Sequence, residues 1–296
     1  MARYAKHANA NGFRIAIAAR RVCVLLLVTF LTVALPHRAE AQSVPPPATH
    51  YTIDANGVDV IQGLALLQTP SIAIGQAQFG GLSYFRTYDS SIADWRDNVA
   101  GTINSSGSTY TVTLMGASES FTLSGSTFTS VQGTGATLTV SGSIYTYTTH
   151  DGTVALYDTA LAGTQPVQAN VARVTQMTAP DQTVTTFTYT TVSGTQHRLQ
   201  SVTNNVGYQL SFTYDATNPV LLTEVTAINN AVEYCSPTAN GCTLTNTWPS
   251  LTFSVAPDGL TQIVTDALAR QTKYTIVSGR IVHVFWPAND TGTPTR

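Results

Sequence analysis

The sequence is short of charge. Asp, Glu, Lys and Arg make up 10% of its 296 residues, against roughly 25% in ordinary soluble proteins. A long helix or a coiled coil needs a chain rich in Ala, Glu, Lys and Leu, and this is not one. Lysine is almost missing, with Lys6 and Lys273 the only two. Six of the 14 basic residues (Arg3, Lys6, Arg14, Arg20, Arg21, Arg38) and one of the 16 acids, Glu40, fall before position 42. That leaves 8 basic and 15 acidic residues for 42–296, a net charge of −7. No cluster of Lys and Arg exists there to displace counterions from a phosphate backbone, which excludes nucleic acid as a partner. Anionic membrane surfaces are disfavoured for the same reason. Helical periodicity is also missing. No stretch after residue 42 sustains it for three turns, and the best candidate, around Leu64–Leu67, is interrupted by Pro70. Disorder is excluded by the 43% hydrophobic and 9% aromatic content.

Long apolar runs are absent with one short exception. Residues 22–36 (VCVLLLVTFLTVALP) are apolar, but fewer than the roughly 20 that a spanning helix needs. Arg14, Arg20 and Arg21 precede the run and Ala39-Glu40-Ala41 follows it. A basic start, a short apolar stretch and an A-x-A site make a secretory signal peptide over residues 1–41, with cleavage expected after Ala41. The alternative is an uncleaved N-terminal anchor. Cleavage leaves no stable membrane span and sends the chain to the cell surface or the medium. Residues 42–56 form a Pro-rich lead, extended by composition.

Cysteine is scarce: of three, Cys23 lies in the leader as an apolar filler, leaving Cys235 and Cys242. The intervening SPTANG contains turn residues. In an oxidising compartment two such cysteines form a disulfide. Free thiols are the alternative, and two Cys with no nearby His supply too few ligands for zinc.

What the chain has in quantity is threonine, 48 residues or about 16%. Thr, Val, Tyr and Phe fit pleated surfaces. In 109–114 Tyr110, Val112 and Leu114 share one face and three threonines the other. Tyr208, Leu210, Phe212 and Tyr214 align likewise, as do Leu251, Phe253 and Val255. These alternations read as half-buried strands. Segment 281–286 (IVHVFW) is apolar on both faces and reads as a strand covered on both sides. Ser-Gly recurs at 106–107, 124–125, 141–142, 193–194 and 278–279 with alternation on either side, the pattern of hairpins. The fold class is all-β, a meander of antiparallel hairpins. A β region over 57–160 is followed by a repetitive one over 161–296.

The second half carries an internal repeat. Phe187-Thr-Tyr189 is followed by Arg198-Leu-Gln-Ser-Val-Thr203, and Phe212-Thr-Tyr-Asp215 by Leu222-Thr-Glu-Val-Thr226. A looser third copy has Tyr274-Thr-Ile276 and then Gly279-Arg-Ile-Val-His-Val284. Such a period signals stacked units that bury a continuous core only together. With Tyr189, Arg198, Tyr214 and Asp215, the Pro257-Asp258-Gly259 turn and the run Asp266-Ala-Leu-Ala-Arg270-Gln-Thr-Lys-Tyr274, the chain resembles the RHS/YD-repeat family. The last run is similar to that family's Asp-x-x-Gly-Arg…Tyr unit, with Ala269 where the family has Gly. Segment 80–90 (GGLSYFRTYDS) and His150-Asp-Gly-Thr153 resemble other parts of such proteins. The resemblance implies a curved antiparallel β strip that contributes to a hollow shell. Its implied partners are further YD-repeat segments or a downstream effector domain. It also implies that this chain is an N-terminal or truncated portion.

Enzyme signatures are missing: there is no G-x-S-x-G, H-E-x-x-H, Walker loop or helix-opening G-x-G-x-x-G. His150 beside Asp151 reads as a turn, His197 as part of a hairpin, and His283 as a satisfied core residue. Asp94 and Asp97 around Trp95 suggest sugar hydrolysis, but a solvated turn is the plainer reading. The expectation is therefore an exported, non-enzymatic structural module without cofactor or metal, serving contact or encapsulation of a toxin or effector. The alternative is a secreted adhesin that binds cell-surface glycans through exposed Tyr and Trp.

Overall fold

The computed structural model describes residues 58–59, 64–99, 101–165 and 168–287. The expected signal peptide, with Ala39 and Ala41 at its expected cleavage site, and the Pro-rich lead over 42–56 lie outside the described residues. All described secondary structure is antiparallel β, apart from two single-turn 3-10 segments.

β1 (Val58–Asp59) and β2 (Leu64–Gln68) open the described chain. β3 (Ile72–Ile74) and β4 (Leu82–Tyr84) form a two-stranded ribbon. β5 (Arg86–Asp89) and β6 (Asp94–Asp97) add to β2 in the order β1-β2-β5-β6. The Leu64–Leu67 segment is thus strand, and Asp94, Trp95 and Asp97 stand on a strand rather than in a solvated turn. Pairing with β5 overrides the polar look of the DWRD tetrad.

Two meanders follow. The first is β7 (Gly101–Ser106), β8 (Thr109–Leu114), β9 (Ala117–Ser124) and β10 (Thr127–Ser130). The second is β11 (Thr137–Ser141), β12 (Ile144–Thr148) and β13 (Val154–Asp158). A ribbon of β14 (Gly163–Gln165) and β15 (Gln168–Asn170) leads to β16 (Ala172–Thr178), where the sheet branches. One edge of β16 pairs with β13. The other pairs with β7 through Ala172 and Arg173, and with β17 beyond Gln176. Gly101 permits the crossing, because a Cβ there would sit 2.2 Å from Val174 Cγ1. The two meanders face each other through aromatic edges, with Phe121 and Tyr147 centroids 6.0 Å apart and Phe128 and Tyr145 at 6.1 Å. Ile103, Val112, Tyr157 and Val174 fill the space between them.

From β16 the sheet continues as a strip in strict chain order: β17 (Val184–Ser193), β18 (Gln196–Asn204), β19 (Tyr208–Tyr214) and β20 (Leu222–Asn229), then β21 (Ser250–Val255), β22 (Thr261–Thr265), β23 (Gln271–Val277) and β24 (Arg280–Phe285). The segment over 64–99 lies on one face of this strip. Tyr84 stands edge-on to Phe212 at 5.3 Å and to Phe253 at 6.3 Å, and Trp95 to Tyr274 at 5.0 Å. The Tyr88 hydroxyl donates to Gly279 O, and the Tyr274 hydroxyl to Gln68 O.

All five Ser-Gly pairs sit at two-residue hairpin turns. A second turn, with the N–H of its fourth residue donating to the carbonyl of its first, recurs at 149–152, 179–182, 204–207, 256–259 and 266–269. Its fourth residue is left-handed each time, as in hairpins built on a type I turn with a bulge. That place is taken by Gly152, Gln182, Gly207, Gly259 and Ala269.

Two expectations about coverage are corrected. Strand β19 is buried on both faces, not one: Leu210 and Phe212 face the 64–99 layer, while Gln209 and Ser211 are also buried. The loop after β20 lies over them, with Asn230 Nδ2 donating to Gln209 Oε1 and Cys235 Sγ 3.6 Å from Ser211 Oγ. Strand β24, by contrast, is not covered on both sides. His283, Val282 and Phe285 are exposed, so His283 is not a core residue. Among the described residues β24 has a ladder partner on one side only, and with Val282 on one face and His283 and Phe285 on the other exposed, neither face is fully covered.

Candidate functional site

The motif residues divide into turn-closers and core aromatics. Asp215 accepts from Thr217 N and Oγ1 and from Asn218 N, closing the turn after β19. Asp258 does the same for Leu260 and Thr261, beside left-handed Gly259. Asp266 accepts from the N–H groups of Leu268 and Arg270 and pairs with the Arg270 guanidinium at 2.7 Å. These bonds hold all three carboxyl groups below their usual range, against whatever desolvation opposes them. Ala269 adopts φ +60, so the turn forms despite the missing glycine. Tyr274 is fully buried against Trp95. Cys235 and Cys242 are disulfide-bonded with Cα atoms 5.8 Å apart. The loop they close presents Asn240, whose side chain bonds both backbone groups of Tyr214.

The remaining motif residues, Tyr189, Arg198 and Tyr214, come together at a cleft of about 590 Å³. It lies between the branch point of the sheet and β6, and β21 and β22 supply another wall. Its charge is distinctive. Of the seven Lys and Arg side chains in the described residues, Arg86, Arg96, Arg173 and Arg198 line it, against Asp94 and Asp97.

Two of the four are answered by carboxylates. Arg86 Nε lies 2.9 Å from Asp97 Oδ1, and the Tyr84 hydroxyl bridges them, donating to Asp97 and accepting from Arg86. Burial drives the Tyr84 phenol well above its ordinary value, so it stays a neutral donor. Arg96 pairs with Asp89 at 2.9 Å. Arg198 lies 4.4 Å over the Tyr214 ring and donates to Gln200 Oε1 and to the carbonyl of Pro219.

Arg173 differs. It is 5% exposed, with one nitrogen, Nη1, donating to His197 O at 2.8 Å and the guanidinium 5.7 Å from the Tyr189 ring centre. Its Nε and Nη2 are buried without a hydrogen-bond partner. Burial pulls the guanidinium below its ordinary value, and only the Tyr189 and Tyr214 phenols act the other way. Asn170 Oδ1 and Trp95 Nε1, on the same cleft, are also buried and unpaired.

Among the described residues the histidines do not come together as a set. His150 is exposed at its turn, and His197 stands on β18 with Nδ1 3.2 Å from Thr191 Oγ1. Asp97 is committed to Arg86, and Asp94 Oδ1 accepts from the backbone N–H of Trp95. Glu119, a buried carboxylate on β9, accepts from the hydroxyls of Ser130, Thr134 and Tyr147 and so clasps the two meanders together.

Sequence reasoning missed Arg173, Asn170 and Glu233. The first two meet the cleft only because β7 and β17 share an edge of β16. Glu233 accepts from Thr245, Asn246 and Trp248, anchoring the loop across β19. Nothing in its local sequence marks it. No family model matches the chain, and no curated protein matches it.

Proposed function

We propose that the chain is an exported structural module, a length of the hairpin strip that RHS/YD-repeat proteins coil into shells, acting in encapsulation or surface contact rather than catalysis. The observation that supports this reading best is the run from β16 to β24. Nine strands follow one another in chain order, with Asp-closed turns and a buried aromatic on successive units. Such units bury their apolar faces only by stacking. The last described strand is also suited to further pairing. Among the described residues β24 leaves one edge without a ladder, and Val277, Val282, Phe285 and Trp286 around it are exposed. Open edges of this kind template association with another strand.

The test is sedimentation of the purified protein over a range of concentrations. Concentration-dependent association is expected, and Val282→Lys with Phe285→Lys should suppress it. A protein that stays monomeric at all concentrations, with a single cooperative melt, overturns the reading. Export is tested separately by N-terminal sequencing of secreted material, where Gln42 is the expected first residue.

A further inference from the structure

From the cleft at the branch of the sheet, we infer that the protein binds a small oxyanion, a carboxylate or phosphate group on a low-molecular-weight ligand, with Arg173 as its anchor. The proposal does not depend on the shell reading.

Three observations carry it. The first is the charge of the cleft: four guanidinium groups face two carboxylates, in a chain whose residues 42–296 carry a net −7. A concave cationic surface on an acidic protein focuses field on anions.

The second is the state of Arg173. A buried cation normally has a hydrogen-bonded counter-charge, because its desolvation is otherwise uncompensated. Arg86 and Arg96, lining the same cleft, each have one. Arg173 has none, and two of its nitrogens are buried without any partner. A guanidinium offers paired N–H donors in a fork that matches a carboxylate or phosphate edge. Nη1 is held by His197 O, leaving Nε and Nη2 as the free pair.

The third is what surrounds it. Trp95 Nε1 contributes a further unpaired buried donor to the same cleft, and Asn170 Oδ1 an unpaired acceptor for a hydroxyl elsewhere on the ligand. Arg198, stacked on Tyr214, supplies a second cation. Concave sites with apolar walls and a few convergent polar groups are where small ligands bind. The ligand would complete the hydrogen bonding that the protein leaves open, an arrangement that favours binding over free-state stability.

The experiment is calorimetric titration of the purified protein with sodium glucuronate, inorganic phosphate and, as a neutral match, glucose, at constant ionic strength. Saturable binding of one or both anions and none of glucose is expected. Glucuronate alone identifies a carboxylate seat and phosphate alone a phosphate seat. Arg173→Met is expected to weaken binding at least tenfold while melting within a few degrees of the parent protein, since removing an unanswered buried charge costs little. Should that variant fail to fold, Arg198→Gln serves instead, with an expected loss of threefold or more. The idea is overturned if neither anion binds saturably, if glucose binds as well as glucuronate, or if the folded arginine variant binds as the parent does.

Discussion

Trp95 and Tyr274 are separated by most of the chain, yet their rings meet edge-on at 5.0 Å. Tyr88 stands on the other side of the indole at 5.3 Å. This contact pins the 64–99 layer to the last hairpin of the strip. Trp95→Ala is expected to cost about 2 kcal/mol, less than the 3–5 typical of a fully buried Trp because the indole is half-buried. A double-mutant cycle with Tyr274→Ala should give a coupling of about 1 kcal/mol. Urea denaturation measures both. Additive single-site effects would show that the layer and the strip are not joined through this pair.

Ala269 and Gln182 occupy the left-handed place that glycine holds in the turn at Gly259. A residue with a Cβ pays about 1–2 kcal/mol there, partly offset by the greater freedom that glycine gives the unfolded chain. Ala269→Gly should therefore raise stability by up to about 1 kcal/mol, and Gly259→Ala should lower it by a similar amount. Equal and opposite shifts in urea midpoint are the expected readout. A destabilised Ala269→Gly would mean the turn is built differently.

The Cys235–Cys242 bond closes a short loop, so its entropic contribution is near 2.5 kcal/mol, about the low end for disulfides. Replacing both cysteines by Ser should cost no more than about that. The loss should be felt at the Asn240 clamp on Tyr214. Hydrogen exchange at the Tyr214 amide reads it directly: faster exchange is expected in the double variant, and unchanged protection would separate the clamp from the disulfide.

Glu233 supplies a pH dependence. The Thr245 amide, the Trp248 indole N–H and further donors hold its carboxyl down to about 2, from an ordinary value of 4.5. A carboxylate whose folded value is depressed stabilises the fold above its unfolded value, and loses that contribution as pH falls toward the folded one. The Glu233 anchor should thus weaken between about pH 4.5 and pH 2. The Trp248 indole proton, followed by NMR, is expected to titrate near pH 2. A midpoint near 4.5 would show that the anchor does not form in solution.

Much of the strip was legible in the chain because its signals are local. A Ser-Gly pair specifies a tight turn through the φ that glycine tolerates, and strict alternation such as Tyr110, Val112, Leu114 declares a strand and its buried face. Asp215, Asp258 and Asp266 act on amides two to four residues away, so their turn-closing role is also contained in short segments. Coverage was not legible. Ser211 and Gln209 look like an outward face, and become interior only because a disulfide-closed loop folds over them. His283 and Val282 look like core, and stand in solvent because no element among the described residues packs over them.

By itself, the sequence determined strand and turn, each carried by neighbours within a few residues. The tertiary structure alone decided the branching at β16, where one strand shares an edge between β7 and β17. That branching sets Thr102 and Asn104 of β7 at the same cleft as Arg173, Tyr189, Arg198 and Tyr214 of four successive strands. No local pattern encodes it, because pairing partners are chosen by the burial of whole faces and not by the residues that end up side by side.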